Sequence, residues 1–357
     1  MNTSALPRTA FPAGAPASES PLNAGLPRAL DEAFSETSLC RLLGPQAAEI
    51  CAAHWEQTLQ APLRDFLSRP GKCFRGRLAG LAYQSAGGAG ALPEVAAQMV
   101  EALHAGSLIV DDIEDEAEER RGAPALHRSY GLQRALNAGN WLYFWPGVLA
   151  ERLEVPPDTL LAIYQRMHLT MLRCHHGQAL DLALRVSELR QEQIPGVVAC
   201  MTRLKTGCLL EFSAELGALL AGAPPESVAA HGRFGGELGV ALQMLDDWSG
   251  VVSRKRREKA REDFVHARPT WAWAWVAQEC KEADFAALQT QARHVAAGDA
   301  SWEALRHALA RRVGSACPPR IRELLGAAQL RLQPHVRNAS ALDALREEIA
   351  RLENSYA

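Results

Sequence analysis

From about residue 28 onward, apolar residues recur three and four positions apart along Ala- and Leu-rich stretches, and alternating β-branched runs are scarce. That period belongs to amphipathic helices with one face turned to a core. It predicts helices over about 45–68, 72–88, 93–119, 133–153, 157–187, 194–222, 225–250 and 269–295, with shorter ones within 301–354. Pro156, Pro195, Pro224-Pro225 and the basic stretch 254–261 separate them, proline because it lacks the N–H that a helix interior needs. Residues 1–27 are rich in Ala, Pro, Ser and Gly with little periodicity. They read as a flexible tail, since they offer too little apolar surface to offset the entropy of ordering. No Pro/Gly linker and no internal repeat interrupts 28–357. One all-α domain, a bundle of long antiparallel helices, is therefore expected there.

Composition narrows the setting. Among 357 residues, 38 Lys and Arg stand against 41 Asp and Glu, a balance that gives no basis for nucleic-acid binding. Eight cysteines show neither C-x-x-C spacing nor a dense framework, so reduced thiols and a cytoplasmic location are expected. The chain has no apolar run long enough for an integral membrane segment, and its N-terminus lacks a signal-peptide pattern.

Chemistry enters with Asp111-Asp112-Ile113-Glu114-Asp115, which follows the apolar run Leu108-Ile109-Val110. On a helix Asp111 and Asp115 fall nearly in line, with Asp112 at the flank of the same face. Carboxylates crowded beside a buried segment need cations, and hard oxygen ligands favour Mg²⁺ shared with phosphate oxygens. The plainer alternative is a solvated acidic face with a Glu116–Arg120 i,i+4 pair. Asp246-Asp247 repeat the arrangement after Leu238–Leu245, but position i+4 is Gly250. Taken alone, that pair also reads as capping or solvated. Clusters on facing helices could enclose Mg²⁺ ions that clamp a diphosphate, with Asp111, Asp115 and Asp246 as direct ligands.

A diphosphate also calls for positive charge from the chain. Lys205 sits in an otherwise apolar helix, either snorkelling to solvent or meeting an anion. Lys259 and Arg268 flank Asp263 in a basic, loop-like segment where Arg254 through Arg257 read as a solvated charge run. Upstream, Lys72 and Arg75 stand three apart at a helix start and can face one anion, with Arg121 and His104 as candidates to join them. That second anion site has no carboxylates and hence no metal. Two unequal anion sites suggest two phosphorylated substrates.

In this order, Gly71-Lys72-x-x-Arg75, His104-x6-Asp111-Asp112-x-x-Asp115-x4-Arg120-Arg121-Gly122, His127-x-x-Tyr130-Gly131, Gly177-Gln178-x-x-Asp181, Lys205-Thr206-Gly207, Gln243-x-x-Asp246-Asp247 and Lys259-x3-Asp263-x4-Arg268-x-Thr270-Trp271 resemble the trans-isoprenyl diphosphate synthases. The resemblance covers roughly residues 65–275. The span Leu103–Phe144 is similar to the eukaryote-type geranylgeranyl diphosphate synthases, including Asn137 through Asn140 followed by Tyr143-Phe144. It implies the isoprenoid synthase fold with a deep central cavity, a homodimer, and head-to-tail (1'-4) condensation of isopentenyl diphosphate with a dimethylallyl, geranyl or farnesyl diphosphate. It also implies about three Mg²⁺ ions per site. Arg120, Lys205 and Lys259 would hold the allylic diphosphate, and Lys72, Arg75, His104 and Arg121 isopentenyl diphosphate. Thr206 and Gln243 would steady the allylic cation, with the released diphosphate as base.

Chain length would be set by an apolar pocket descending from Asp111. Gly106 and Ser107, one turn earlier, are small enough to let a chain pass, and Tyr143, Phe144 and His175 are candidates for its floor, with plain core packing as the alternative. A twenty-carbon product is the expectation, with fifteen and twenty-five carbons open. Three departures stand out: Gly250 in place of a third aspartate, Gly76 in place of a proline, and no basic C-terminal tail. Two other readings remain. A class I terpene cyclase would leave Lys72 and Arg75 without a ligand, and a catalytically silent subunit of a prenyltransferase fits the imperfect second cluster.

Overall fold

The Ala- and Leu-rich segments fold as helices throughout. The computed structural model describes residues 21–253, 256–313 and 317–354, with the side chains of all of these except 21–24, 258, 259 and 354. Among them are α1 (Pro21–Ala33), α2 (Glu36–Leu43), α3 (Pro45–Trp55), α4 (Ala61–Ser68), α5 (Phe74–Ser85), α6 (Glu94–Glu114), α7 (Leu126–Tyr130), α8 (Leu132–Ala150) and α9 (Pro157–Ala183). They continue with α10 (Ile194–Thr202), α11 (Cys208–Leu220), α12 (Pro225–Val252), α13 (Arg257–Val265), α14 (Trp271–Glu279), α15 (Glu282–Ala296), α16 (Trp302–Val313), α17 (Cys317–Leu332) and α18 (Ala339–Asn354). The strand content among the described residues is one antiparallel pair, Glu119–Arg120 with Ala123–Pro124. Residues 1–20 of the expected tail lie outside the described residues. Residues 21–27 belong to α1, whose Leu26, Ala29 and Leu30 are buried.

Two apolar cores meet along α11. Leu63, Phe66, Met99, Ile109, Leu142 and Phe212 centre one, between α1, α4, α6, α8 and α9. The other gathers Phe234, Leu238, Trp273, Phe285, Leu309 and Ile321 between α12 and the C-terminal helices. α6 packs along α8, and α11 lies between α5 and α12. These long helices surround a cavity of about 770 Å³.

Three expectations about elements are corrected. The predicted helix 93–119 stops at Glu114, and the strand pair turns the chain back there. From Arg257 on, the basic stretch is helical and not a loop: α13 starts there because Ala260 and Phe264, one turn apart, are buried within the charge run. The span 269–295 is divided at Cys280-Lys281. All eight cysteines are free thiols, and among the described residues no helix is long and apolar enough to cross a membrane.

Candidate active site

The end of α6 carries the first carboxylate cluster. Asp111 Oδ1 accepts from Lys205 Nζ at 3.2 Å and from Gln178 Nε2 at 3.0 Å. Burial pushes the Asp111 carboxyl up, but Lys205, Gln178 and Arg120 outweigh it and hold it below its ordinary value. Asp112 is fully buried. It accepts from Arg120 Nε at 2.6 Å, while its Oδ2 has no hydrogen-bond partner. Burial raises this carboxyl despite Arg120. Arg120 thus serves Asp112, and reaches Asp111 at 3.7 Å, rather than pairing with Glu116. The helix ends before that i,i+4 geometry can form.

Lys205 does not snorkel. Its ammonium lies 2.5 Å from Asp181 Oδ2 and 3.2 Å from Asp111 Oδ1. Burial alone would lower its affinity for a proton, but Asp111, Asp181 and Asp115 raise it. The backbone explains this placement. Arg203–Gly207 forms a π turn between α10 and α11, a wide turn that re-aims side chains and recurs at functional sites. Glycine lets neighbouring helices press against it: a Cβ at Gly177 on α9 would lie 2.3 Å from Lys205 N, and one at Gly239 on α12 would lie 2.8 Å from Gly207 Cα.

The second cluster faces the same cavity. Asp246 Oδ1 lies 2.5 Å from Arg256 Nη2, so Arg256 is not the solvated charge the sequence suggested. Asp247 turns inward, accepting from Gln243 Nε2 and Trp271 N, both at 2.8 Å. Burial pushes its carboxyl up to about 7, with those two donors opposing. Gln243 Oε1 in turn accepts from Thr206 Oγ1 at 3.2 Å.

The basic group occupies another wall. Lys72, Arg75, His104 and Arg121 all line the cavity. Cys73, with φ of 44°, turns the chain into α5 between the first two. Arg121 stacks over Phe66, 5.2 Å from its ring centre, and lies against Gly71. Burial, then the charges of Arg75, Arg121 and Arg120, hold the His104 imidazole well below its ordinary value. Both effects disfavour the protonated imidazole.

The sequence profile of the polyprenyl synthetase family matches residues 56–308, well over half of the chain. The chain belongs to the polyprenyl synthetase family. Geranylgeranyl pyrophosphate synthase 2 of Zymoseptoria tritici is 32% identical over 203 residues, covering 55% of this chain and 57% of that protein. A geranylgeranyl diphosphate synthase of Sulfolobus acidocaldarius is 32% identical over 161 residues, covering 44% and 47%. The chain thus spans about half the length of these curated relatives. Geranylgeranyl pyrophosphate synthase from Corynebacterium glutamicum, crystallised with isoprenyl diphosphate and magnesium, superposes with a TM-score of 0.69 at 20% identity, over 94% of this chain and 98% of that one. That likeness shows the all-α isoprenoid synthase fold.

Of the residues singled out in this family member's sequence, Lys72, Arg75, His104, Ser107, Asp111, Arg120, Arg121, Tyr143, His175, Lys205, Thr206, Gln243 and Asp246 line the one cavity. Others are placed elsewhere. Asp115 caps α6 and pairs with Arg268, whose guanidinium also faces Asp181 at 3.8 Å and Asp263 at 3.9 Å. Arg268 is thus engaged by carboxylates behind the cavity wall. Gly106 faces α8, where a Cβ would lie 2.9 Å from Gly139 O. Phe144 is 75% exposed, pointing away from the shaft it was expected to floor. The Lys259 side chain lies outside those described.

Sequence reasoning gave no role to Gln178, Asp181 or Asp247, although their spacing was visible, and it set Arg256 aside. Among the described residues no three acidic, His or Cys side chains are grouped to hold a metal as they stand. The donor set nonetheless suits Mg²⁺: Asp111 and Asp246 present hard oxygens to one cavity, and each is held by a cation at a carboxylate oxygen.

Proposed function

We propose that this chain is a Mg²⁺-dependent trans-prenyltransferase that joins isopentenyl diphosphate head-to-tail to an allylic diphosphate, with geranylgeranyl diphosphate as product. The observation that carries this reading is that an acidic wall (Asp111, Asp246), a basic wall (Lys72, Arg75, Arg121) and an apolar shaft (Leu108, Met171, Leu209) share one cavity. The names of the relatives support the same chemistry. Asp111, Asp115 and Asp246 would hold magnesium, Asp115 after release from Arg268. Bound there, magnesium supplies neutralisation of the departing diphosphate.

The chain's own groups do the rest. Lys205 and Arg120 bind the leaving diphosphate where charge develops as the allylic C–O bond breaks. Lys72, Arg75 and Arg121, with His104, orient isopentenyl diphosphate so that its double bond attacks the allylic cation. Thr206 Oγ1 and Gln243 Oε1, fixed against each other, put oxygen dipoles near that cation. The proton lost in the last step passes to the released diphosphate.

Exposed apolar side chains on adjacent helices, Leu136, Phe144 and Val148 on α8 and Leu161, Leu169 and Leu172 on α9, are the surface through which two copies would meet. Eight free thiols support a cytoplasmic setting. Purified protein incubated with Mg²⁺, geranyl or farnesyl diphosphate and labelled isopentenyl diphosphate tests the proposal. Elongated diphosphate is expected. Hydrocarbon would mean a terpene cyclase, and no turnover a silent subunit.

A further inference from the structure

The basic wall, expected from the sequence to lack carboxylates, contains one. Glu101 of α6 is 6% exposed and lines the cavity one turn before His104. Its Oε1 accepts from Gly76 N at 2.8 Å. Gly76 lies in the first turn of α5, where backbone N–H groups find no partner within the helix itself. Cys73, at the N-cap position, has a left-handed backbone and no side-chain cap hydrogen bond. The cap for Gly76 therefore comes from another helix. Glycine has the most backbone freedom to lose, so the bond supplies at Gly76 a constraint that the residue lacks by itself. The Glu101 charge is also felt across the wall: burial lowers the affinity of the Arg121 guanidinium for its proton, and Glu101 opposes that.

We propose that Glu101 is a positioning residue for isopentenyl diphosphate, fixing the first turn of α5, and with it Lys72 and Arg75, against the face of α6 that carries His104. The inference rests on the two-substrate reading above. A negative charge in this wall works against an anionic ligand. What Glu101 contributes is therefore its oxygen and its reach, not its charge.

Substitutions that separate reach from charge test this. Isopentenyl diphosphate is titrated into full-length protein by calorimetry, and KM and kcat are measured for both substrates. Glu101→Ala leaves a buried N–H without an acceptor and is expected to weaken isopentenyl diphosphate binding about tenfold, with the KM of the allylic diphosphate and kcat changed less than about twofold. Glu101→Asp, which keeps the charge but is one methylene short of Gly76, is expected to behave like Glu101→Ala, and stands in for it if the alanine variant does not fold. Glu101→Gln loses the charge but keeps an oxygen that can accept the same N–H, and is expected to bind isopentenyl diphosphate at least as tightly as wild type. Wild-type affinity in Glu101→Ala or Glu101→Asp, equal weakening of both substrates, or a loss in Glu101→Gln as large as in Glu101→Asp would each overturn the role of Glu101 while leaving the two-site reading in place. Wild-type protein that does not bind isopentenyl diphosphate would overturn that reading itself.

Discussion

Ser107 and Gly106 show how much one residue's orientation decides. Ser107 lines the cavity, with its hydroxyl donating to His104 O at 2.8 Å, whereas Gly106 is pressed against α8. Ser107→Phe should therefore project a ring into the shaft and shorten the product. Chromatography of the dephosphorylated prenols would show it, and an unchanged distribution would mean that the growing chain runs elsewhere. In the sequence both were simply small residues one turn before Asp111, because helical period alone does not say which flank meets the neighbouring helix. The cationic residues were legible for a different reason. Lys205 in an apolar helix needs a counter-charge, and Asp111 and Asp181 provide it. Arg256 was not legible, since a run of arginines and lysines looks the same whether solvent or Asp246 receives it. Phe144 failed as a floor residue because an aromatic at helical spacing does not reveal whether it faces a core or an exposed surface.

Helix identity was largely readable from the three-four period, and helix ends less so. α13 was hidden because only Ala260 and Phe264 anchor it among charges, and the break at Cys280-Lys281 carries neither Gly nor Pro. The π turn that aims Lys205 had no period of its own. Its signal was Gly177 and Gly239, which are needed for close approach. Gly177→Ala should push α9 off that turn, costing about 1–3 kcal/mol of stability and lowering turnover by moving Lys205. Wild-type thermal midpoint and rate in this variant would contradict the packing argument.

A buried histidine couples α12 to its neighbours in a pH-dependent way. His231 contacts Ser85 at 3.1 Å and the Ser227 carbonyl at 2.8 Å. Burial above all holds its imidazole below the ordinary value of 6.5, with the Ser227 carbonyl opposing and His335 adding. The folded chain then takes up this proton less readily than the unfolded one. The contribution is whole above about pH 6.5 and is lost as pH falls from there towards the lower folded value. His231→Gln should flatten the fall of the thermal midpoint between about pH 7 and 5; an unaltered slope would assign it to other groups.

At the scale of the molecule, the fold class was legible because a helical period is repeated along most of the chain, and the family because its charged residues recur in a set order. The surface proposed to join two copies was less so, since exposed and buried leucines look alike in sequence. Phe144 is the most exposed side chain of the apolar α8–α9 surface, so Phe144→Asp should convert the proposed dimer into a monomer by light scattering after gel filtration. A dimer that persists would place the contact elsewhere.

In the proposed function, one cavity joins a metal-dependent anion site to a metal-independent one. Calorimetry tests it directly, with a thio analogue of geranyl diphosphate and with isopentenyl diphosphate, each with and without Mg²⁺. The analogue is expected to bind only with Mg²⁺ and to lose binding in Asp111→Asn, whereas isopentenyl diphosphate is expected to bind without metal and to lose binding in Lys72→Ala. If both ligands need the metal, or if either substitution weakens both equally, the division into two sites is wrong.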